Sequence, residues 1–415
     1  MEPIEEIKNA FAADNALRVR ELFSANPQLK KLVHESFGPF DSPPIVSVRS
    51  RRMLDVLLEA GADINARSKW WAGGFGLLDS ASDDLASYAI ERGATVDAHA
   101  AARLGLMDRL RALVSENPSI VHARGGDGKM PLHFARNVEV AKFLVENGAD
   151  LDARDIDHES TPAQHLIDER QDVVRFLVEK GCATDIFIAA ALGDLTLAKK
   201  HLAENPACVR MRVNAHDFPM KNWHAGGTIY QWTLGFHVSP HQVARKFGHE
   251  EMLALLMEAS PPEVQLINWC WLGDENKVRR IVNDNPGLVQ RLSAPERRSI
   301  ADAARNNEAI AVKLMLEAGF STDERGQHNA PPLNWASWHG NAEMVDVLLK
   351  KSARVDLSDN EFKGTPLDWA IHGSQNGWYC SKGDYGRVVK LLLAAGSTPP
   401  AEIRGSEAVQ QALRA

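Results

Sequence analysis

One pattern recurs along most of the 415 residues and constrains the fold more than any other feature. It joins a P-L-x-x-A core to a V-x-x-L-L-x-x-G run, as in GDGKMPLHFARNVEVAKFLVENGADLDARD at 126–155. Near-copies follow at 160–181, 330–356 and 364–396. A unit of this length has too few apolar residues for a core of its own, so neighbouring units must stack. The sequence therefore predicts one array of stacked units with no separate domain.

Each unit has the pattern of two helices. A proline such as Pro162 falls in the first helical turn, where its missing N–H costs nothing. A small pair such as Ala303–Ala304 allows the two helices to pack closely. The second helix has apolar residues at i, i+3 and i+4 and ends at a glycine such as Gly148, which is suited to the left-handed conformation at that position.

A second kind of unit ends in an N-P-x-x-V-like tail. Its prolines are Pro27, Pro118, Pro206 and Pro286, separated by 91, 88 and 80 residues. These intervals indicate a longer period of about three units of ~33 residues each. Both kinds together give about twelve units, which begin near residues 4, 43, 74, 98, 129, 160, 185, 239, 263, 297, 331 and 365.

The repeated motif resembles the T-P-L-H-x-A-A-x-x-G signature of the ankyrin-repeat family, as in MPLHFA at 130–135 and PPLNWASWHG at 331–340. The resemblance implies an all-α ankyrin-repeat solenoid of about twelve helix–loop–helix units over residues 1–415. Residues 1–211 hold the more regular units, and residues 212–415 hold Trp-rich units with irregular long loops. It also implies that His133 is a structural histidine that bonds between units.

Composition and the N-terminal sequence indicate which partners and which cellular compartment to expect. The net charge of −8 and the short basic clusters argue against a nucleic-acid partner. The four cysteines lie far apart without a C-x-x-C motif, so neither a zinc ribbon nor a disulfide framework is indicated. The acidic start MEPIEEIKNAF is unlike a signal sequence, and no apolar run approaches the roughly 20 residues of a membrane span. We expect a cytoplasmic protein with no membrane association and no cofactor.

Three segments break the repeat. Residues 212–237 occupy a hairpin that normally needs about a dozen residues. Residues 373–385 are inserted between the two helices of the last unit, and SKWWAGGFG at 68–76 is a Gly-rich hairpin with two tryptophans. Such loops are often functional, although a Trp-rich loop can also simply cover an exposed helix end. Eight of the ten tryptophans follow residue 212, so the sequence places their role in the C-terminal half.

Aligning the last four units on the small-residue pair gives two rows of side chains. The first row is Asn268, Asp302, Trp335 and Trp369, and the second is Trp271, Arg305, Trp338 and His372. Positions three apart share a helix face, and in the ankyrin family these positions face the concave groove. The rows therefore predict a ligand-facing patch, which Trp232 or Trp378 from the long loops would cover. Ordinary packing between units, and an i,i+3 ion pair between Asp302 and Arg305, are the simpler alternatives.

No metal site is expected. His237, His241 and His249 have metal-like spacing, but Pro240 begins a helix between the first two, so they share no helix face. The turn DARDIDHES at 152–160 is one residue longer than the family pattern. Its carboxylates Asp155, Asp157 and Glu159 could serve a cation or a sugar, but we expect an acidic, solvated turn.

Two functions of different class fit these features. The first is a binding protein whose Trp-, His-, Arg- and Asp-lined groove in the C-terminal half takes a protein or a small molecule. The second is an enzyme that acts on a carbohydrate-like or other polyhydroxylated substrate by acid–base chemistry in a Trp-lined pocket. Its predicted catalytic residues are Asp302, His339, His372 and Asp384. The predicted ligand-binding residues, in either case, are Trp232, Trp271, Arg305, Trp335, Trp338, Trp369 and Trp378.

Overall fold

The computed structural model describes residues 3–414. Within that range the chain forms α-helices, 3-10 helices and one isolated bridge between Gly38 and Ser42, and no β-strand. The first twelve α-helices are α1 (Pro3–Ala12), α2 (Ala16–Ala25), α3 (Arg51–Glu59), α4 (Asp83–Glu91), α5 (Ala98–Leu104), α6 (Met107–Glu116), α7 (Val138–Glu146), α8 (Pro162–Leu166), α9 (Gln171–Glu179), α10 (Ile186–Leu192), α11 (Leu195–Glu204) and α12 (Tyr230–Thr233). The others are α13 (Pro240–Lys246), α14 (Glu250–Glu258), α15 (Pro262–Trp271), α16 (Glu275–Asp284), α17 (Ala294–Arg297), α18 (Ser299–Arg305), α19 (Ala309–Ala318), α20 (Pro332–Trp338), α21 (Ala342–Lys350), α22 (Pro366–Asn376), α23 (Tyr385–Ala394) and α24 (Glu407–Arg414).

The helices confirm the predicted repeat units. Within residues 3–414 they form twelve consecutive pairs, from α1–α2 to α22–α23, and each pair begins close to a predicted start. In three pairs the first member is a short 3-10 helix, at Pro44–Ser47, Leu77–Asp79 and Pro131–Phe134. The three α-helices outside the pairs are α12, α17 and α24. The predicted all-α ankyrin-type fold is therefore confirmed.

The ends of the helices follow from local sequence. Thr161, Ser239 and Thr365 each accept a hydrogen bond from the backbone of the first turn that follows, and a proline stands next in the chain. Gly319 ends α19 with φ of 102°, a conformation that costs a glycine little. The predicted N-P tails form 3-10 helices at Pro27–His34, Pro118–His122, Pro206–Arg210 and, after the fourth proline, Val289–Arg291.

The chain divides into two compact units. Unit 1 comprises residues 1–188 and 213–235, and unit 2 comprises 189–212 and 236–415. One hydrophobic cluster, from Ile7 to Ala100, lies in unit 1, and a larger one, from Leu266 to Ala412, lies in unit 2. A single array over residues 1–415 stays a prediction. Among residues 3–414, none of the helices has the length and apolar character that a membrane span requires.

Candidate functional site

The two predicted rows differ in exposure. All four members of the first row are buried in unit 2: Asn268, Asp302, Trp335 and Trp369. The second row becomes more exposed along the chain, because Trp271 is buried, Arg305 and Trp338 are half-buried, and His372 is exposed. The first row is thus part of the core, and the second row passes from the core at Trp271 to the surface at His372.

Four indole rings form one group in unit 2, which we call the tryptophan cluster: Trp335, Trp338, Trp369 and Trp378. Trp335 meets Trp369 edge to face, with ring centroids 5.1 Å apart and planes at 81°. Trp378 lies nearly parallel to Trp335, at 6.1 Å and 22°, and meets Trp338 edge to face at 6.4 Å. These distances lie within the range at which aromatic pairs attract beyond their buried area.

The insertion at 373–385 places Trp378 over this group and is held by hydrogen bonds to α20 and the turn that follows it. α22 continues to Asn376, and the chain then turns back towards α20. The hydroxyl of Tyr385 donates to the carbonyl oxygen of Trp338 at 2.8 Å. The backbone N–H of Asp384 donates to the carbonyl oxygen of Gly340 at 2.9 Å. The segment between Asn376 and Tyr385 is therefore anchored at its end, which fixes Trp378 against the cluster.

Arg305 lies beside the cluster as a cation without a carboxylate partner. Its guanidinium stacks on Phe236, 3.9 Å from the ring centroid, and on Trp378 at 4.8 Å. Its Nε donates to Gln327 Oε1 at 3.1 Å. Burial lowers the pKa of Arg305 to about 10 despite the opposing charge of Asp302, so the side chain stays charged at neutral pH. Among residues 3–414, no carboxylate oxygen lies within 4.0 Å of this guanidinium.

Several polar atoms around the cluster are buried without a hydrogen-bond partner among the described residues. They include the indole N–H groups of Trp335, Trp338 and Trp369. His339 donates from Nε2 to the carbonyl oxygen of Arg305 at 2.9 Å, which leaves its buried Nδ1 without a partner. An unsatisfied buried group costs about 1–3 kcal/mol. The cluster therefore contains hydrogen-bonding groups that none of the residues 3–414 engages.

The four predicted catalytic residues are not linked to one another. Within residues 3–414, no hydrogen bond or ion pair joins any two of the side chains of Asp302, His339, His372 and Asp384. Asp302 Oδ1 lies 3.6 Å from His237 Nδ1 and 3.5 Å from Arg298 Nε, and no ion pair links it to Arg305. Asp384 caps α23 by accepting from the backbone N–H of Arg387 at 3.1 Å. A catalytic role for these residues stays a prediction.

Two predicted ligand-binding tryptophans, Trp271 and Trp232, are not members of the tryptophan cluster. Trp271 is buried in unit 2, where the guanidinium of Arg212 lies 5.8 Å from its ring centroid. Trp232 belongs to unit 1, where it is exposed on α12. The ligand-binding role of both stays a prediction.

Unit 1 contains a cavity that the sequence did not indicate. The long loop, at residues 213–229, folds back onto the turn at 155–160. The backbone N–H groups of Lys221 and Asn222 donate to the carboxylate of Glu159, at 2.9 and 2.7 Å. The N–H of Ile229 donates to Ser160 Oγ at 3.1 Å. A cavity of about 470 Å³ lies between the two segments.

The expected solvated turn beside this cavity is wrong for two of its three carboxylates. Asp155 and Asp157 are buried. Burial raises the pKa of Asp155, but the ring of His165 and the backbone N–H groups of Ser160 and His158 outweigh it, so the pKa falls to about 2. For Asp157, burial raises the pKa. The long loop contributes to the burial of Asp157, because the N–H of Gly226 donates to Asp157 Oδ1 at 3.2 Å. Local sequence cannot show this contact between segments more than 60 residues apart.

Comparisons with known families agree with the helix pairs. A model described as ankyrin repeats in three copies matches residues 98–188, which cover the pairs from α5–α6 to α8–α9. A single ankyrin-repeat model matches residues 328–360, which cover α20–α21. The chain belongs to the ankyrin-repeat family. Ankyrin repeats indicate a protein-interaction domain.

Individual relatives match parts of this chain. The palmitoyltransferase Hip14 of Drosophila melanogaster is 30% identical over 108 residues, which are 26% of this chain and 15% of the relative. The putative E3 ubiquitin-protein ligase XBAT31 of Arabidopsis thaliana is 27% identical over 143 residues, 34% of this chain and 29% of the relative. The chain thus spans less than a third of either protein. The crystal structure of the human ASB11 ankyrin repeat domain aligns with 73% of this chain and 99% of that domain, at 19% identity and a TM-score of 0.28.

Proposed function

We propose that this ankyrin-repeat protein binds a partner protein at a surface of unit 2 centred on Trp378, which we call the Trp378 surface. Its side chains are Trp378, Tyr379, Phe362, His372 and Arg305. The observation that carries the proposal is that Trp378 is 57% exposed while one face of its ring covers the buried Trp335. A large apolar side chain is thereby fixed in place with most of its surface in water.

The fixed position of Trp378 favours binding. An exposed tryptophan on a mobile loop would lose rotamer freedom when a partner covers it, at roughly 0.5–1.5 kcal/mol. Here the neighbouring rings and the backbone bonds of the insertion already hold the side chain. Tryptophan, tyrosine and arginine are also the residues enriched at energetic hot spots of protein interfaces. The neighbouring Tyr379 and Phe362 are exposed and extend the same surface.

The charge of Arg305 indicates what the partner presents. A half-buried guanidinium between two rings is well placed for a carboxylate, because a charge-assisted hydrogen bond is roughly twice as strong as a neutral one. No carboxylate among residues 3–414 lies within ion-pair distance of it. The proposed partner segment therefore has an aspartate or glutamate next to an apolar side chain, which packs on Trp378.

A second candidate is favoured by the unpaired indole N–H groups. They would suit the hydroxyl oxygens of a polyhydroxylated small ligand. If the protein also acted on that ligand as an enzyme, Asp302 and His339 would be its acid–base groups. The same N–H groups are buried, so a ligand would reach them only if the side chains around them moved. This requirement makes the partner protein the better-supported proposal.

Selection from a peptide-display library tests the proposal. We expect selected peptides to combine an acidic residue with a neighbouring apolar residue. Trp378→Ala should weaken their binding at least about tenfold, which corresponds to ~1.4 kcal/mol. Trp223→Ala is the matched control, since Trp223 is 85% exposed but lies in unit 1. Equal losses in the two variants would count against the Trp378 surface.

A double-mutant cycle tests the role of Arg305. Replacing the acidic residue of the peptide with its amide should weaken binding to the wild-type protein. The same replacement should have little effect on binding to Arg305→Gln, because the pair is then already broken. Additive losses would exclude the proposed ion pair. If no peptide is selected and a glycan panel instead shows binding that Trp378→Ala abolishes, the second candidate replaces the first.

A further inference from the structure

We propose that unit 1 binds one divalent transition-metal ion through Asp127, Asp157 and His158. Asp127 lies in the short 3-10 helix Gly126–Gly128 of one repeat, and the other two lie in the corresponding turn of the next. One oxygen of each carboxylate and one ring nitrogen of His158 lie within 4.8 Å of one another. The three residues are 6%, 5% and 8% exposed, so this is an enclosed group rather than a solvated acidic surface.

The spacing suits a metal ion. Ligand atoms at about 2.0–2.2 Å from Zn²⁺ are roughly 3–4 Å from one another in a tetrahedral site. Asp157 Oδ2 lies 3.6 Å from His158 Nε2, within that range. Backbone bonds fix this segment, because the N–H groups of Ile156 and Asp157 both donate to the carbonyl oxygen of Asp127, at 2.8 and 3.2 Å. Small side-chain movements would bring the three ligand atoms to bonding distance.

The hydrogen bonds of His158 leave the correct nitrogen for a metal. Its Nδ1 is 2.8 Å from the carbonyl oxygen of Gly227. A carbonyl oxygen only accepts, so Nδ1 carries the proton and Nε2 of the neutral ring has a lone pair. Metal-bound histidines typically donate their other N–H to a carbonyl or carboxylate in this way, which fixes the ring and its tautomer. The long loop of unit 1 supplies that carbonyl.

The carboxylates are not fully satisfied within the chain. Asp127 Oδ1 is buried and has no hydrogen-bond partner among the described residues. Its other oxygen, Oδ2, lies 3.1 Å from the ammonium group of Lys129. Asp157 Oδ1 accepts from the N–H of Gly226 at 3.2 Å. One ammonium group beside two buried carboxylates leaves a net negative charge, which is costly in a buried site unless a cation compensates it.

A neighbouring group of similar composition is a poorer site. Asp155, His133 and His165 also bring three ligand atoms within 4.8 Å. Both nitrogens of His133 are already used, since Nδ1 accepts from the N–H of Met130 and Nε2 donates to the carbonyl oxygen of Ser160. Metal binding there would break the hydrogen bonds that connect two repeats. His158 has no such conflict.

The ligand set indicates the class of metal. Carboxylate oxygens alone suit Mg²⁺ and Ca²⁺, whereas an imidazole nitrogen favours ions such as Zn²⁺ and Fe²⁺, and Mn²⁺ also accepts the two carboxylates. Three protein ligands leave at least one coordination position for water or another molecule. His158 also lines the cavity of about 470 Å³, so that position is expected to open towards it.

Metal titration of the full chain tests the site. The protein is dialysed against EDTA and then against metal-free buffer, and calorimetry follows addition of Zn²⁺, Mn²⁺, Mg²⁺ and Ca²⁺. We expect one equivalent of Zn²⁺ or Mn²⁺ to bind, and Mg²⁺ and Ca²⁺ to bind at least tenfold more weakly. Asp157→Asn and His158→Gln should each weaken Zn²⁺ or Mn²⁺ binding by at least a hundredfold. His216→Gln is the matched control, because His216 is an exposed histidine of the long loop, and this variant should bind like the wild type.

Folding of the variants is checked separately. Thermal melting in EDTA shows whether each variant retains the fold, and Asp127→Asn provides a third test if one of the others unfolds. The proposal is overturned if no divalent ion binds, or if well-folded Asp157→Asn and His158→Gln bind as the wild type does. Binding of Ca²⁺ as tight as that of Zn²⁺ and Mn²⁺ would also overturn it, because the imidazole would then not be a ligand.

Discussion

Trp335 and Trp338 lie three positions apart on α20 and have different surroundings. Trp335 is enclosed between Trp369 and Trp378, in the core of unit 2. Trp338 lies at the edge, where its ring is 5.7 Å from that of the exposed His372. Removing Trp335 would leave a cavity in the core, whereas removing Trp338 would mainly change the surface next to Trp378. Of the two, Trp338 is the better probe of binding.

Buried histidines make the stability of the fold dependent on pH. Burial lowers the pKa of His237 and His339 to about 4 and that of His241 to about 3. In the unfolded chain these rings take up a proton near pH 6.5. The unfolded state therefore binds more protons between pH 6.5 and the folded pKa values, and the free energy of unfolding falls as pH falls through that window.

Urea unfolding at pH 7, 6 and 5 measures this effect. Each such histidine contributes up to about 1.4 kcal/mol per pH unit within the window. His339→Gln should make the fall in stability from pH 7 to pH 5 smaller, because one of the contributing groups is gone. His216→Gln, which removes an exposed histidine, should leave the slope as it is. A slope that His339→Gln does not change would mean that this ring is protonated equally in both states.

At the scale of elements, the insertion after α22 depends on glycine. A Cβ atom on Gly383 would lie 2.6 Å from the carbonyl oxygen of His339, which is closer than real Cβ contacts allow. Gly383→Ala should therefore displace the segment that carries Trp378. Faster amide hydrogen exchange at 377–384 and weaker peptide binding are the expected results. Gly386→Ala is the control, because that glycine lies within α23 and its added Cβ would make ordinary contacts at 3.4 Å or more. An equal response in both variants would contradict the anchoring of the insertion.

Local sequence predicted the helices better than it predicted the contacts around them. The twelve pairs and their N-P tails were predicted correctly, because each depends on prolines, glycines and apolar spacing within about 33 residues. The first helix of one pair is shorter than predicted. The sequence at Pro131–Phe134 follows the family pattern closely but forms only a short 3-10 helix. The extension of α22 to Asn376 was likewise not predicted.

The features that the sequence could not show depend on contacts between distant segments. The long loop at 213–229 reaches back to the turn at 155–160 through bonds that span more than 60 residues, which no repeat period encodes. The extra residue in that turn was the available signal for the proposed metal site. In unit 2, the aligned rows bring Trp335 next to Trp369 and Trp338 next to His372. How deeply the rows are buried was not predicted, because the first row lies in the core and Trp378 of the insertion covers Trp335.

At the scale of the whole molecule, each proposed site combines regular repeats with one irregular segment. In unit 2 the regular helices provide the buried Trp335 and Trp369, and the insertion adds Trp378. In unit 1 two successive repeat turns provide the three proposed metal ligands, and the long loop encloses them. The regular part of a repeat array specifies little by itself, since every unit offers similar positions. The breaks in the repeat are what make these two places unlike the rest.

Stability in such an array is expected to be local. Repeat proteins gain stability from each unit and from its contacts with immediate neighbours, so a change in one pair is felt most in the adjoining pairs. Leu333 on α20 and Leu367 on α22 are buried, and truncating either to alanine should cost about 2–5 kcal/mol. Leu288, the buried leucine of an N-P tail, should behave in the same way. Hydrogen exchange of Leu333→Ala should therefore rise most in α18 to α23 and much less in α3 to α7. A uniform rise through all helices would instead show that the whole chain unfolds as one cooperative unit. An unchanged exchange pattern would show that the predicted register of the repeats is wrong.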